Sequence, residues 1–261
     1  MTVQGKERRR EYGAGGKPAL ATMEDQLLFV LLYFRTYPTQ DLLGVLFGQT
    51  QPWANKWVHR MTPILRAALG YEMQLPARPA CTMEELVARC PGLEFIIDAT
   101  ERPIVRPHEE PRQREHYSGK KKRHTLKNTV VTDRRTKKVA YLGSTAAGTK
   151  HDKRLADDDS IPFPPGSVVY KDTGYQGFEP QGVTTYQPKK KPRGGSLSDA
   201  EKESNRAVSR IRIAVEHSIG GAKIFRIVHD TYRNHKVNFD DTVMEVSCGL
   251  YNYIVDGRRA A

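Results

Sequence analysis

The sequence lacks the features that mark several common protein classes. Its cysteines, Cys81, Cys90 and Cys248, are odd in number and form no CxxC pair. That excludes a disulfide framework or a thiolate zinc cluster and predicts reduced thiols in a cytosol. No apolar run is long enough to cross a bilayer. The longest, LLFVLLYF from Leu27 to Phe34, reads as a buried helix. The charged, Gly-containing N-terminus has no signal-peptide pattern. A GxSxG elbow, a phosphate-binding glycine loop and a His/Cys metal cluster are all missing. Acids are scarce too: 30 Asp and Glu stand against 42 Lys and Arg, for a net charge of +12 in 261 residues.

The positive excess is local. From Arg112 to Lys138 there are 11 Lys/Arg against 2 acids, and from Lys189 to Arg212 there are 8 against 3. Together these stretches exceed the net charge of the whole chain, so the pattern predicts a groove for a polyanion rather than a solubilising coat. At 38% hydrophobic and 28% charged, the remainder can build a core.

Residues 1–20 read as a flexible basic lead-in. Thr22 with Asp25 then makes a capping box for a helix that holds the apolar run. Pro38-Thr39 opens a second helix that Gly48 ends, and a third begins near Thr50 with Pro52 in its first turn. On the third helix, Trp57, Met61, Ile64, Leu65 and Ala68 form the predicted core stripe. Asn55, His59 and Arg66 face away from it, with Lys56 and Arg60 on the flanks. Gly44 and Gly48 suit a close crossing of helices, and the pair reads as a helix-turn-helix. Thr82 with Glu85 caps a further helix.

From Gly92 the texture changes. LEFIID is a buried strand ending in an acid, HTLKNTVVTD and KKVAYLGSTA form a hairpin, and KHDKRLADDD is a helix. SVVYKD is a second strand ending in an acid, VTTYQP a short strand, and Ser198 with Glu201 caps a long final helix. This order predicts a mixed α/β sheet with helices on its faces, over 91–256, after an all-α domain over 21–90.

Asp98 and Asp172 each close a hydrophobic strand, where open α/β sheets bind ligands. If the strands are neighbours, the carboxylates repel unless a cation lies between them. Mg²⁺ or Mn²⁺ meets that need, with Glu216 on the last helix as a third ligand. Such a two-ion site suits phosphodiester chemistry. At about 100° per residue, Arg212, Glu216 and Lys223 share one helix face within roughly 40°.

The segments IDATERPIVRP, YSGKKKRHTLKN, KHDKRL, KDTGYQG, PKKKPRG and SRIRIAVEHSIGGAK occur in this order. Together they resemble the DDE transposases of the insertion-sequence five (IS5) family, and MEDQLLFVLLYFRTYPTQDLLGVLFG resembles the helix-turn-helix that precedes the catalytic domain there. The resemblance spans Met23 to Asn252. It implies an RNase H-like catalytic fold and a triad of Asp98, Asp172 and Glu216. It also implies terminal inverted repeats and target DNA as double-stranded partners, and a homodimer on DNA in the bacterial cytoplasm, at the nucleoid and away from membranes. Related transposases carry Tyr-x2-Arg-x3-Glu-x6-Lys on the glutamate's helix. Arg212, Glu216 and Lys223 match it, while Ser209 stands at the tyrosine position.

Lys120, Lys121, Lys122, Arg123 and Lys127 are expected to contact phosphate, and Tyr175 to stack on DNA or cover the core. Asn55, His59 and Arg66 are the expected groove contacts, with Lys56 and Arg60 nearer the phosphates. His151-Asp152 reads as a helix cap, with assistance to the metals as the other reading, and Asp157-Asp158-Asp159 as a solvated acidic turn rather than a ligand set. Gly220-Gly221 is expected to loosen the helix before Lys223. Two other readings are a catalytically inactive relative acting as a DNA-binding regulator and a basic RNA-binding protein.

Overall fold

Each of the three capping boxes closes a helix. In the computed structural model, which describes residues 19–260, Thr22 caps α1 (Met23–Thr36), Thr82 caps α4 (Met83–Arg89) and Ser198 caps α7 (Asp199–Ala222). In each, the cap hydroxyl accepts from the third helical N–H while that residue's carboxylate accepts from the cap N–H. The expected lead-in lies outside the described residues up to 18. Leu20, its last residue, is buried in the core.

Thr39 caps α2 (Gln40–Leu46), and α3 runs from Gln51 to Tyr71 with Pro52 in its first turn. The helices cross tightly at Gly44, where a Cβ would lie 2.8 Å from the Gln49 carbonyl oxygen. The α3 core stripe differs from the expected one. Ala54, Val58, Met61, Leu65 and Leu69 are buried, while Ile64 and Ala68 are exposed and Trp57 is half-buried. The reason is that α3 packs against both α1 and the C-terminal helix α8 (Phe239–Ala260). These partners together with α2, not the densest apolar arc of α3 alone, set its buried face.

β1 (Glu94–Pro103) is central. It pairs antiparallel with β3 (Arg123–Asp133) and parallel with β6 (Val168–Tyr170), which pairs parallel with β7 (Thr184–Tyr186). β2 (Tyr117–Ser118), β4 (Val139–Leu142) and β5 (Ala146–Ala147) pair antiparallel with β3. The order β4-β3-β1-β6-β7, with only β3 reversed along that path, is the expected RNase H-like mixed sheet.

Alternation along β1 sends Ile96 into an apolar cluster shared with α1, α3, α7 and α8, and Phe95 and Ile97 into another shared with α4. The second cluster also includes Ala156 of α6 (Asp152–Asp159). The N-terminal helices thus share a core with the face of the sheet that α7 covers. Two helices were not anticipated: α5 (Glu110–His116), which buries no residue, and α8. The buried Val243, Met244, Val246, Cys248, Leu250 and Tyr251 point to several sides of α8, so no single apolar stripe marks it. The expected acidic turn at Asp157-Asp158-Asp159 is instead the last turn of α6, and Asp159 is buried.

Candidate active site

Asp98 shares the parity of Ile96 and so lies on the α7 side of β1. It does not end the strand, which continues to Pro103 beneath α7. Asp172 lies two residues past Tyr170, as Asp98 lies two past Ile96, and Ile96 pairs with Tyr170 in parallel register. Neighbouring strands therefore bring the two acids side by side. Asp172 also caps a short 3-10 turn, Thr173–Tyr175, and its Oδ1 accepts from the Thr173 N–H at 2.6 Å.

Between the acids stands Arg212. Its Nη2 is 3.8 Å from Asp98 Oδ2 and 3.5 Å from Asp172 Oδ2. Burial pushes the Asp98 carboxyl above its ordinary range; its hydrogen bond from the Ala99 N–H and the Arg212 charge oppose this, while Asp172 and Asp152 add to it. Arg212 thus meets part of the charge demand that the paired acids create.

Glu216 lies one turn beyond Arg212 on α7 and is exposed. Among the described residues, no group of three or more His, Cys, Asp or Glu is placed to hold a metal ion. The donor chemistry still fits a hard divalent cation in part: two carboxylates converge where one positive group already sits. The Glu216 side chain is not drawn in with them.

α7 continues through Gly220-Gly221 to Ala222, contrary to the expected loosening. Lys223 follows as the cap, and its Nζ donates to the Glu101 carbonyl at 2.8 Å. Burial pushes the Lys223 ammonium down to about 8, assisted by nearby Lys121 and Arg102. Lys121 thereby joins the site from the exposed loop that carries Lys120, Lys121 and Lys122 into Arg123 of β3.

Lys127 is buried, 3.0 Å from Asp152 and 3.6 Å from Glu101. It ties β3 to α6 and is not open to solvent. Tyr175 is fully buried and packs edge-on to Phe178, so its ring has no free face for a base; the core reading of this residue holds. His151 caps α6, as expected.

Asp152 is the candidate that the sequence reading weighed beside the metals and set down as part of a cap. Its charge acts on Asp98, and a Cβ on Gly174 would lie 2.9 Å from its Oδ2. The signal was its place in KHDKRL, but only the fold brings it near β1. Arg102 was missed. It is fully buried and donates to the Asp240 carbonyl, Asn128 and Thr145, joining β1 to β3 and the start of α8.

On α3, Lys56 and Arg60 are exposed, and the Arg60 guanidinium lies 4.8 Å from the Trp57 ring centre. Asn55 and His59 are half-buried. The Asn55 amide donates to Gln40 at 3.0 Å, and the His59 ring meets Phe239 edge-on at 4.5 Å. Arg66 is engaged by a two-point contact with buried Glu245 of α8, at 2.7 and 3.1 Å. The outward face of α3 is therefore rotated from the expected one, toward Lys56 and Arg60.

A family profile described as DDE superfamily endonuclease matches residues 97–252, and one described as helix-turn-helix of DDE superfamily endonuclease matches residues 18–70. The chain is 33% identical to the "Probable transposase for insertion sequence element IS702" of Microchaete diplosiphon, over 95% of this chain and 86% of that protein. It is 26% identical to a protein of Streptomyces albus G assigned as a transposase to insertion sequence element IS112, over 82% of this chain and 74% of that protein. No solved structure matches.

Proposed function

Because the chain belongs to the DDE superfamily endonucleases, we propose that its paired acids cut and rejoin DNA at the ends of a mobile element. The chain is a transposase, a nuclease of the DDE type with a helix-turn-helix for DNA. The observation that carries this is the side-by-side placement of Asp98 and Asp172 with the Arg212 guanidinium between them.

Enzymes of this superfamily use divalent metal ions. We assign Asp98 and Asp172 as holders of Mg²⁺ or Mn²⁺, two ions in all, with Glu216 as the third ligand once α7 adjusts. A bound cation supplies charge neutralisation and a more acidic water. The protein's own part is positional. Asp98 and Asp172 would hold the cation, and so set where a phosphate drawn to it would lie beside β1 and β6. Arg212 and Lys223 offer donors to phosphate oxygens where negative charge grows, and Lys120, Lys121, Lys122 and Arg123 hold the flanking backbone. Water opens the phosphodiester at the element's end and leaves a 3′-OH, which then attacks target DNA in line.

We place terminal-repeat recognition in 21–90 and chemistry in 91–256, with Lys56 and Arg60 outermost on α3. Joining two ends calls for a homodimer on DNA. IS5 membership and action at the bacterial nucleoid complete this reading. Among the described residues no helix is long and apolar enough to cross a membrane.

The test uses purified full chain, Mg²⁺ and a labelled terminal repeat. Cleavage is expected for the native chain and lost in Asp98→Ala; cleavage that persists in Asp98→Ala overturns the assignment. The exposed position of Glu216 favours one alternative, a regulator that binds DNA without cutting it. Equal DNA affinity with and without Mg²⁺, and no nicking, would support that reading.

A further inference from the structure

Asn55 and His59 line a cleft of about 750 Å³ whose opposite wall is the segment Arg233–Lys236. A second cleft, of about 570 Å³, shares Asn234, His235 and Lys236 and extends to Arg106 and to Arg112 of α5. The two are one trench with a common wall. It leads from the helix-turn-helix to the segment preceding the basic loop of the catalytic domain.

The common wall is built rather than loose. The Arg233 N–H donates to the Tyr37 hydroxyl at 2.7 Å, and its guanidinium donates to the Tyr37 carbonyl at 2.5 Å and lies 4.2 Å from that ring's centre. The Lys236 N–H donates to Asn234 Oδ1 at 2.9 Å, which fixes the backbone and leaves the ammonium outward. Among the described residues, Arg106, Arg112 and Lys236 form no ion pair, although Asp41, Glu109 and Asp240 also line the clefts. At the α3 end, His59 Nδ1 is buried without a hydrogen-bond partner. Fixed backbone, outward cations and amide edges suit a phosphate backbone with bases at one end.

We infer that the segment Asn234–Asn238, which leads into α8, is a second DNA-contacting element. It continues the grip of α3 along the duplex toward Arg106 and Arg112, so the terminal repeat is held beyond the base pairs that the helix-turn-helix reads. This rests on the transposase reading above.

The test is a hydroxyl-radical footprint and a salt titration of affinity on terminal-repeat duplex, with full chain in EDTA. Lys236→Gln with Arg112→Gln is expected to lower the slope of log affinity against log salt by about two, near 0.9 for each lost phosphate contact. It should also shorten the footprint on one side only. Val237→Glu, at a position 83% exposed, adds an acid to the wall without touching the core and is expected to weaken binding about tenfold. A native footprint left unchanged by both variants overturns the trench while the transposase reading stands. No footprint with the native chain overturns both.

Discussion

Arg212 Nη2 stands 3.5 Å from Asp172 Oδ2, and the same nitrogen reaches Asp98 at 3.8 Å. A cation already lies where the acids would hold a metal, so the two compete for one negative site. Arg212→Gln removes the competitor and also a phosphate donor. Apparent Mg²⁺ affinity, read from the metal dependence of the melting temperature, is expected to tighten about tenfold, in line with an opposite charge at this distance in a partly screened site. Cleavage efficiency should fall about 100-fold, as for loss of one donor to developing charge. Weaker Mg²⁺ binding in the variant would show that Arg212 holds the site open rather than filling it.

Asp98 gives a pH signature. Its carboxyl is pushed above the ordinary range, chiefly by burial. As pH rises through the window between the unfolded and the raised folded values, the unfolded chain loses its proton first. Stability therefore falls with pH across that window and stays lower above it. Without metal, Asp98→Asn is expected to melt several degrees higher than the native chain at pH 7, and the gain should shrink as the pH drops to about 3, where the native acid is protonated too. Added Mg²⁺ should raise the native melting point more than that of the variant. A variant that melts lower than the native chain at pH 7 would show that the Arg212 contact outweighs burial.

The fold was legible wherever local chemistry decides it. Three capping boxes, the Arg134-Arg135-Thr136 turn and the two strands that lead to Asp98 and Asp172 lie where the sequence reading put them, although β1 runs five residues past Asp98. They do so because hydroxyl, carboxylate and apolar alternation act within a few residues. What escaped is what depends on distant neighbours. The face of α3 is set by α1, α2 and α8 together, so Asn55 and His59 turn into a cleft and Arg66 turns to Glu245. Tyr175 in KDTGYQG was left open between stacking on DNA and covering the core, and the 3-10 turn decides it by folding the ring inward beside Phe178. Asp98 was found by its strand, while its neighbour Asp152 comes from another element, held there by Lys127.

Lys223 predicts a decline in activity on the alkaline side. Its ammonium is pushed down to about 8 by burial, from an ordinary value of 10.5. If it donates to phosphate, DNA cleavage should fall as pH rises through about 8. Lys223→Arg, which keeps its charge there, should hold its rate to higher pH even if its rate at pH 7 is lower. Folding stability runs the other way: between the folded and unfolded values the unfolded chain binds the extra proton, so the native state gains stability as pH rises. Parallel alkaline profiles for native chain and Lys223→Arg would remove Lys223 from phosphate contact.

Gly220 and Gly221 are adjacent on α7 and should respond oppositely to a methyl group. A Cβ on Gly221 would fall 2.1 Å from Tyr251 Cε2, whereas a Cβ on Gly220 meets nothing within 4 Å. The ring cannot simply swing aside, because the Tyr251 hydroxyl donates to the Lys137 carbonyl at 3.1 Å. Gly221→Ala must therefore push α7 from α8 and is expected to cost about 1–3 kcal/mol. Gly220→Ala improves helix propensity at an exposed position and should gain up to about 1 kcal/mol. Denaturant melts of the two variants measure this directly. Because Arg212, Glu216 and Lys223 all depend on the seat of α7, Gly221→Ala should also slow cleavage under conditions where it is fully folded, while Gly220→Ala should not. Equal stability for the two would mean that α7 and α8 pack more loosely than the contact with Tyr251 requires.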